Sequence, residues 1–88
     1  MAVVRFTSPF ISYCGATSIR MHADTLGDLC RDLIQRYSRM DVLLDPQGGI
    51  SRSIVVLVDR RNAHTLSGAA TVLEEETEVL IMPVMGGG

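Results

Sequence analysis

The chain has 88 residues, 47% of them apolar, and a formal net charge of −2 at pH 7. A chain of this length makes one small domain that buries roughly 60–65% of its unfolded surface, and the apolar share excludes disorder. The charge balance carries no basic footprint for nucleic acid. No apolar run of about 18 residues is present to span a membrane, and Met1-Ala2-Val3-Val4-Arg5 lacks the architecture of a signal peptide.

With two Phe, two Tyr and no Trp, the core has to be aliphatic. Val3 to Thr7 reads as a first strand, interrupted by Ser8-Pro9. Tyr13-Cys14-Gly15-Ala16 reads as a turn, and Ser18 to Met21, with Ile19 and Met21 facing in, reads as the second arm of a hairpin. Leu26, Leu29, Cys30, Leu33, Ile34 and Tyr37 then recur at the helical period and make one apolar stripe. Thr25 is the expected N-cap, and Asp28 suits the positive end of the helix. Asp32 and Arg36, at i and i+4, lie on the opposite, solvated face.

Asp45-Pro46-Gln47-Gly48-Gly49 is a loop. Ser53 to Val58 is a continuous β-branched run, the pattern of a strand buried on both faces. Asp59-Arg60-Arg61-Asn62 is a turn, Ala63 to Leu66 a short edge strand, and Glu74-Glu75-Glu76-Thr77 an acidic turn before a last strand, Glu78 to Met82. Pro83 has no N–H to give to a ladder, so regular pairing is expected to stop there and release the tail from the sheet. One helix covers only one face of one sheet. The simplest architecture is therefore α+β: a mixed sheet of four to five strands packed on one helix, with the first and last strands parallel in the middle. That is the β-grasp, or ubiquitin-like, fold, expected over residues 1–85, with residues 86–88 as a flexible glycine tail.

The segment from Ala70 to Gly88 resembles the end of the prokaryotic ubiquitin-like sulfur carriers. These include the small subunit of molybdopterin synthase, the thiamin sulfur carrier and the cysteine-biosynthetic carrier. Their tail is similar to Pro-x-Val-Ala-Gly-Gly. Here Pro83 matches, Val84 and Met85 fill the apolar positions, Gly86 stands in for Ala, and Gly87-Gly88 is the diglycine. Asp24-Thr25-Leu26-Gly27 and Leu44-Asp45-Pro46 look most like the cysteine-biosynthetic branch. Glu76-Thr77 departs from the Gly-Asp usual before the last strand, which puts the turn type in question.

The resemblance implies a protein cosubstrate, not an enzyme, with no cofactor of its own. An activating enzyme would use ATP to adenylate the Gly88 carboxylate, and sulfur would then displace AMP to leave a thiocarboxylate. Gly87 and Gly88 are the reacting pair, and Pro83, Val84, Met85 and Gly86 are the docking residues. Gly88 is expected to react as encoded; the alternative register makes it an overhang that a protease removes. The implied partners are the adenylating enzyme, a sulfurtransferase or sulfide source, a sulfur-acceptor synthase and a metalloprotease, in the cytoplasm. Cysteine, molybdopterin and specialised metabolites all stay open as destinations. The other reading is a ubiquitin-like modifier joined through Gly88 to lysines of target proteins.

Glycine suits such a tail, because without Cβ it enters a narrow channel in conformations closed to other residues. Ordering each residue costs about 1–2 kcal/mol of backbone entropy, so part of the sheet face is expected to offset that as a docking surface, with Met82, Val84 and Met85 as candidates, of which Met82 is expected to pack in the core. Other chemistry finds little support. Cys14 and Cys30 give no disulfide framework or metal spacing. Cys30 belongs to the helix stripe, and Cys14 is expected exposed in its turn, which favours a reducing compartment. His22 and His64 read as surface residues with no third ligand. Gly48-Gly49 lacks the lysine of a phosphate-binding loop. All eight basic residues are arginine.

Overall fold

The computed structural model describes residues 1–84. Strand β1 (Ala2–Phe6) leads through a cis Ser8–Pro9 peptide into a short helix, α1 (Phe10–Cys14), and then into β2 (Ser18–Met21). β1 and β2 pair antiparallel, as a hairpin requires, but the connection is helical where a tight turn was expected. The signal for α1 was weak because five residues are too few to show a period. Gly15, read as a turn residue, closes it at φ 77°, and its N–H donates to the Ile11 carbonyl at 2.7 Å, the left-handed C-cap that favours glycine.

Helix α2 (Leu26–Arg36) follows the predicted stripe. Thr25 caps it, its hydroxyl accepting the Asp28 N–H at 3.2 Å. Asp28 also accepts from Arg31 at 2.7 Å, and this bond, ahead of the Thr25 contact, holds its carboxyl below the usual range. On the same solvated side, Arg36 meets both oxygens of Asp32 at 3.0 and 3.1 Å. A 3-10 segment, Ser38–Leu43, then buries Met40 and Leu43.

Strands β3 (Ile54–Val58) and β4 (Arg61–Asn62) form a tight hairpin whose two linking residues, Asp59 and Arg60, have φ of 48° and 72°. Two successive positive φ values give the turn whose twist matches the strands. The predicted edge strand at Ala63–Leu66 is instead a 3-10 turn over Ala63–Thr65. The Asn62 carboxamide accepts the His64 N–H at 2.9 Å and so turns the chain away from the sheet. A further 3-10 turn, Gly68–Ala70, packs over α2.

β5 (Glu78–Pro83) closes the sheet in the order β2-β1-β5-β3-β4. It runs parallel to β1 and antiparallel to β3, so the last strand lies at the centre, as the β-grasp expectation has it. Entry to β5 settles the turn type: Glu76 takes φ 62°, the conformation glycine would adopt there, and its N–H bonds the Met1 carbonyl at 3.0 Å.

The core lies between the sheet and α2. Val4, Phe6, Val56, Val79 and Ile81 meet Leu26, Leu29, Cys30 and Leu33, all buried. Burial drives the Cys30 thiol up to about 12, so it is an inert small hydrophobe. Among the described residues, no helix is long and apolar enough to cross a membrane.

Candidate functional site

The predicted reacting glycines Gly87 and Gly88, and the docking residues Met85 and Gly86, lie outside the described residues. The structure describes the strand that precedes them. Along β5 the buried residues Val79 and Ile81 alternate with half-buried Leu80 and Met82, so Leu80 and Met82 face away from α2.

Pro83 does not end the strand. Its Cα partner is Ile54, and the next residue, Val84, still donates its N–H to the Ser53 carbonyl at 3.1 Å. The Asp59 N–H to Glu78 carbonyl bond of 2.8 Å and the Val84–Ser53 bond fix the alternation. Pro83 falls at a non-hydrogen-bonded position towards β3, and its nitrogen faces the β1 side. There the Thr7 N–H still donates to the Ile81 carbonyl at 3.2 Å, and the Thr7 carbonyl that a residue-83 N–H would meet already accepts the Phe10 N–H at 2.8 Å, so no acceptor is left unpaired. Proline is thus accommodated in a central strand where the neighbouring carbonyl already has its donor.

The outer face of the sheet corrects a second expectation. β3 alternates buried Ile54, Val56 and Val58 with half-buried Val55 and Leu57; it is covered on one face, not both. The residues of the other face are half-buried. Register sets Val55 against Met82 and Leu57 against Leu80. Val3 on β1 extends this apolar surface, and Val84, 48% exposed, stands at its tail end. Arg5–Glu78 (3.0 Å) and Arg20–Glu76 (3.2 Å) border it as ion pairs. Val84 was expected at the docking surface, whereas Met82 was expected in the core and lies instead on this outer face. Val3, Val55, Leu57 and Leu80 were not expected there, although a β-branched run in a one-helix protein must expose one of its faces.

The other titratable groups lie elsewhere. Cys14 is half-buried, not exposed, with its Sγ 3.4 Å from the Ala16 carbonyl, and both cysteines are free thiols. His22 and His64 are exposed. Among the described residues, no group of three or more His, Cys, Asp or Glu is placed to hold a metal. A cavity of about 240 Å³ opens beside Met1, His22, Asp24 and Glu74. Because β1 and β5 run parallel, that cavity at the start of β1 is at the end of the sheet opposite Val84. There the Met1 ammonium pairs with Glu75 and keeps its carboxyl below the usual range.

Comparison with known proteins fits this geometry. The ThiS family matches residues 12–88. Small archaeal modifier protein 3 of Haloferax volcanii is 31% identical over 97% of this chain and 96% of its own length. The sulfur carrier protein CysO of Mycobacterium tuberculosis is 31% identical over 84% of this chain and 83% of its own. The CysO crystal structure superposes with a TM-score of 0.84 at 26% identity, covering 94% of this chain and 98% of that one. A chain of the Amycolatopsis orientalis BexX/CysO complex has the same fold, with a TM-score of 0.86 at 18% identity and full coverage of both chains. The chain belongs to the ThiS family of ubiquitin-like sulfur carriers.

Proposed function

We propose that this member of the ThiS family is a sulfur carrier whose Gly88 carboxylate is adenylated by a partner enzyme and converted to a thiocarboxylate. The observation that carries the reading is the placement of β5. The last described strand is central in the sheet, with an apolar outer face along it, and the family match continues through Gly88.

A carboxylate is a poor acyl donor, because its charge repels nucleophiles and oxide is a poor leaving group. Attack of the Gly88 carboxylate on the α-phosphate of ATP releases pyrophosphate and makes AMP the leaving group. Sulfide then displaces AMP; a persulfide leaves an acyl disulfide that a second thiol reduces. Either route ends in a thiocarboxylate, a soft nucleophile held on a protein handle. The activating enzyme supplies ATP and the catalytic groups, so the chain acts as cosubstrate and holds no cofactor. Its own contribution is presentation: threading two glycines costs about 2–4 kcal/mol of backbone entropy, which contacts to Val55, Leu57, Leu80, Met82 and Val84 offset.

The partners this chemistry requires are the adenylating enzyme, a sulfur source and an acceptor synthase. Likeness to CysO favours cysteine synthesis as destination, with a metalloprotease to release the product. Two free thiols favour a reducing, cytoplasmic setting. The second reading, conjugation to target amines through Gly88, rests on the likeness to small archaeal modifier protein 3.

Deleting Gly88 tests the register. An extended residue spans about 3.3–3.6 Å, a large error for in-line attack. The shortened chain should fold and bind but release no pyrophosphate with ATP and the activating enzyme. Adenylation of the shortened chain at the full rate would make Gly87 the reacting residue and Gly88 a trimmed overhang.

A further inference from the structure

Past Ile81, whose carbonyl accepts the Thr7 N–H at 3.2 Å, β5 leans on β3 among the described residues. Pro83 has no N–H to give to β1. Val55 stands opposite Met82, and the Val84 N–H donates to the Ser53 carbonyl at 3.1 Å. Val84 is 48% exposed, so this bond, more than packing, sets where its side chain stands.

The acceptor of that bond belongs to the Ser53–Ile54 peptide. On the other side of the same peptide, the Ile54 N–H donates to the Ser51 carbonyl at 3.4 Å, a long bond that orients the peptide weakly by itself. The Ser51 hydroxyl closes the same turn from within. Its Oγ accepts the Ser53 N–H at 3.2 Å and shares a second hydrogen bond, of 2.8 Å, with the Ser53 hydroxyl. Ser51 is in turn tied to the core, because its N–H donates to the carbonyl of buried Leu43 at 3.0 Å. A continuous chain of hydrogen bonds thus runs from Leu43 through Ser51 and Ser53 to Val84. Without the Ser51 hydroxyl, the Ser53 N–H turns to water and the turn is left with its one long bond.

We propose that Ser51 is a positioning residue: its hydroxyl fixes the Ser53 carbonyl, which fixes Val84 in the place where the adenylating enzyme meets it. The inference rests on the carrier reading above, in which Val84 belongs to the docking surface. A partner binds in proportion to the fraction of the chain already in the competent arrangement, and a residue ordered beforehand does not have to be ordered at the moment of binding. Ser51 therefore acts on affinity without touching the partner.

The test compares Ser51→Ala and Ser51→Thr in the 88-residue protein. Loss of an ordinary hydrogen bond changes an equilibrium by about three- to tenfold. Amide exchange followed by NMR should quicken by that factor at Val84 in Ser51→Ala, stay unchanged at Val79 and Ile81, and return to the wild-type rate in Ser51→Thr. A merely structural role would quicken exchange throughout β5. Calorimetric affinity for the adenylating enzyme should fall in Ser51→Ala by up to the same factor and recover in Ser51→Thr. Unchanged or slower exchange at Val84, or quicker exchange with unchanged affinity, would overturn the proposal. Met82→Asp, titrated alongside, separates the two readings. If it weakens binding and Ser51→Ala does not, the positioning role falls and the docking surface stands; if neither weakens binding, both fall.

Discussion

Met82→Asp separates docking from folding. Met82 is half-buried on the outer face, directly opposite Val55, and makes no part of the core against α2. Full burial of such a side chain is worth about 1.5–3 kcal/mol. Losing about half of that, together with a less favoured strand residue, costs about 1–2 kcal/mol, less than the 5–15 kcal/mol typical of a domain. Beneath a partner the same carboxylate is buried without a counter-charge, at about 3 kcal/mol, or roughly two decades in Kd. Calorimetric titration against the activating enzyme should show that loss, urea unfolding should show only the small change in stability, and Met82→Leu should bind as wild type. Val72→Asp is the control: at 69% exposure Val72 is more open than Val84 at 48%, but it lies off the outer face, in the segment bridged to Thr25. If Met82→Asp and Val72→Asp bind alike, with folding intact, the outer face is not the docking surface.

Cys30 gives a pH prediction. Burial raises its thiol from 9.0 to about 12, so the fold favours the neutral form. That contribution is complete below pH 9 and is lost at roughly 1.4 kcal/mol per unit as pH rises towards 12. Urea midpoints should fall over this range, and Cys30→Ala, although less stable at pH 7, should lose that part of the slope. Thr25→Ala removes the cap on Asp28 and should cost about 1 kcal/mol in urea unfolding, with the Asp28 carboxyl moving back towards its ordinary range by NMR titration. Pro83→Ala should change stability by less than about 1 kcal/mol, because the nitrogen faces the Thr7 carbonyl, which already accepts the Phe10 N–H; a larger loss would refute that orientation.

The fold was legible where the physics is periodic or positional. The stripe from Leu26 to Ile34 and the Thr25 cap marked α2, and the count of one helix against several strands led to the β-grasp. Helix α1 and the 3-10 turns were not legible, because elements of three to six residues are fixed by tertiary packing and by local side-chain bonds such as Asn62 to His64. The run from Ser53 to Val58 misled in a useful way. Continuous β-branched residues signal a strand buried on both faces, yet Val55 and Leu57 face outward, where they are half-buried. For the candidate site, the family resemblance pointed to Gly87 and Gly88, which lie outside the described residues, and Met82 was expected in the core rather than on the outer face. The wider apolar face was not legible, since it exists only once β1, β3 and β5 are brought side by side.

The mass of the C-terminal peptide after incubation with ATP, the activating enzyme and a sulfur source decides whether Gly88 carries sulfur. The account predicts replacement of one terminal oxygen of Gly88 by sulfur, dependent on ATP and absent from every other peptide. Sulfur found only on Cys14 or Cys30, with the Gly88 carboxylate unchanged, would contradict it.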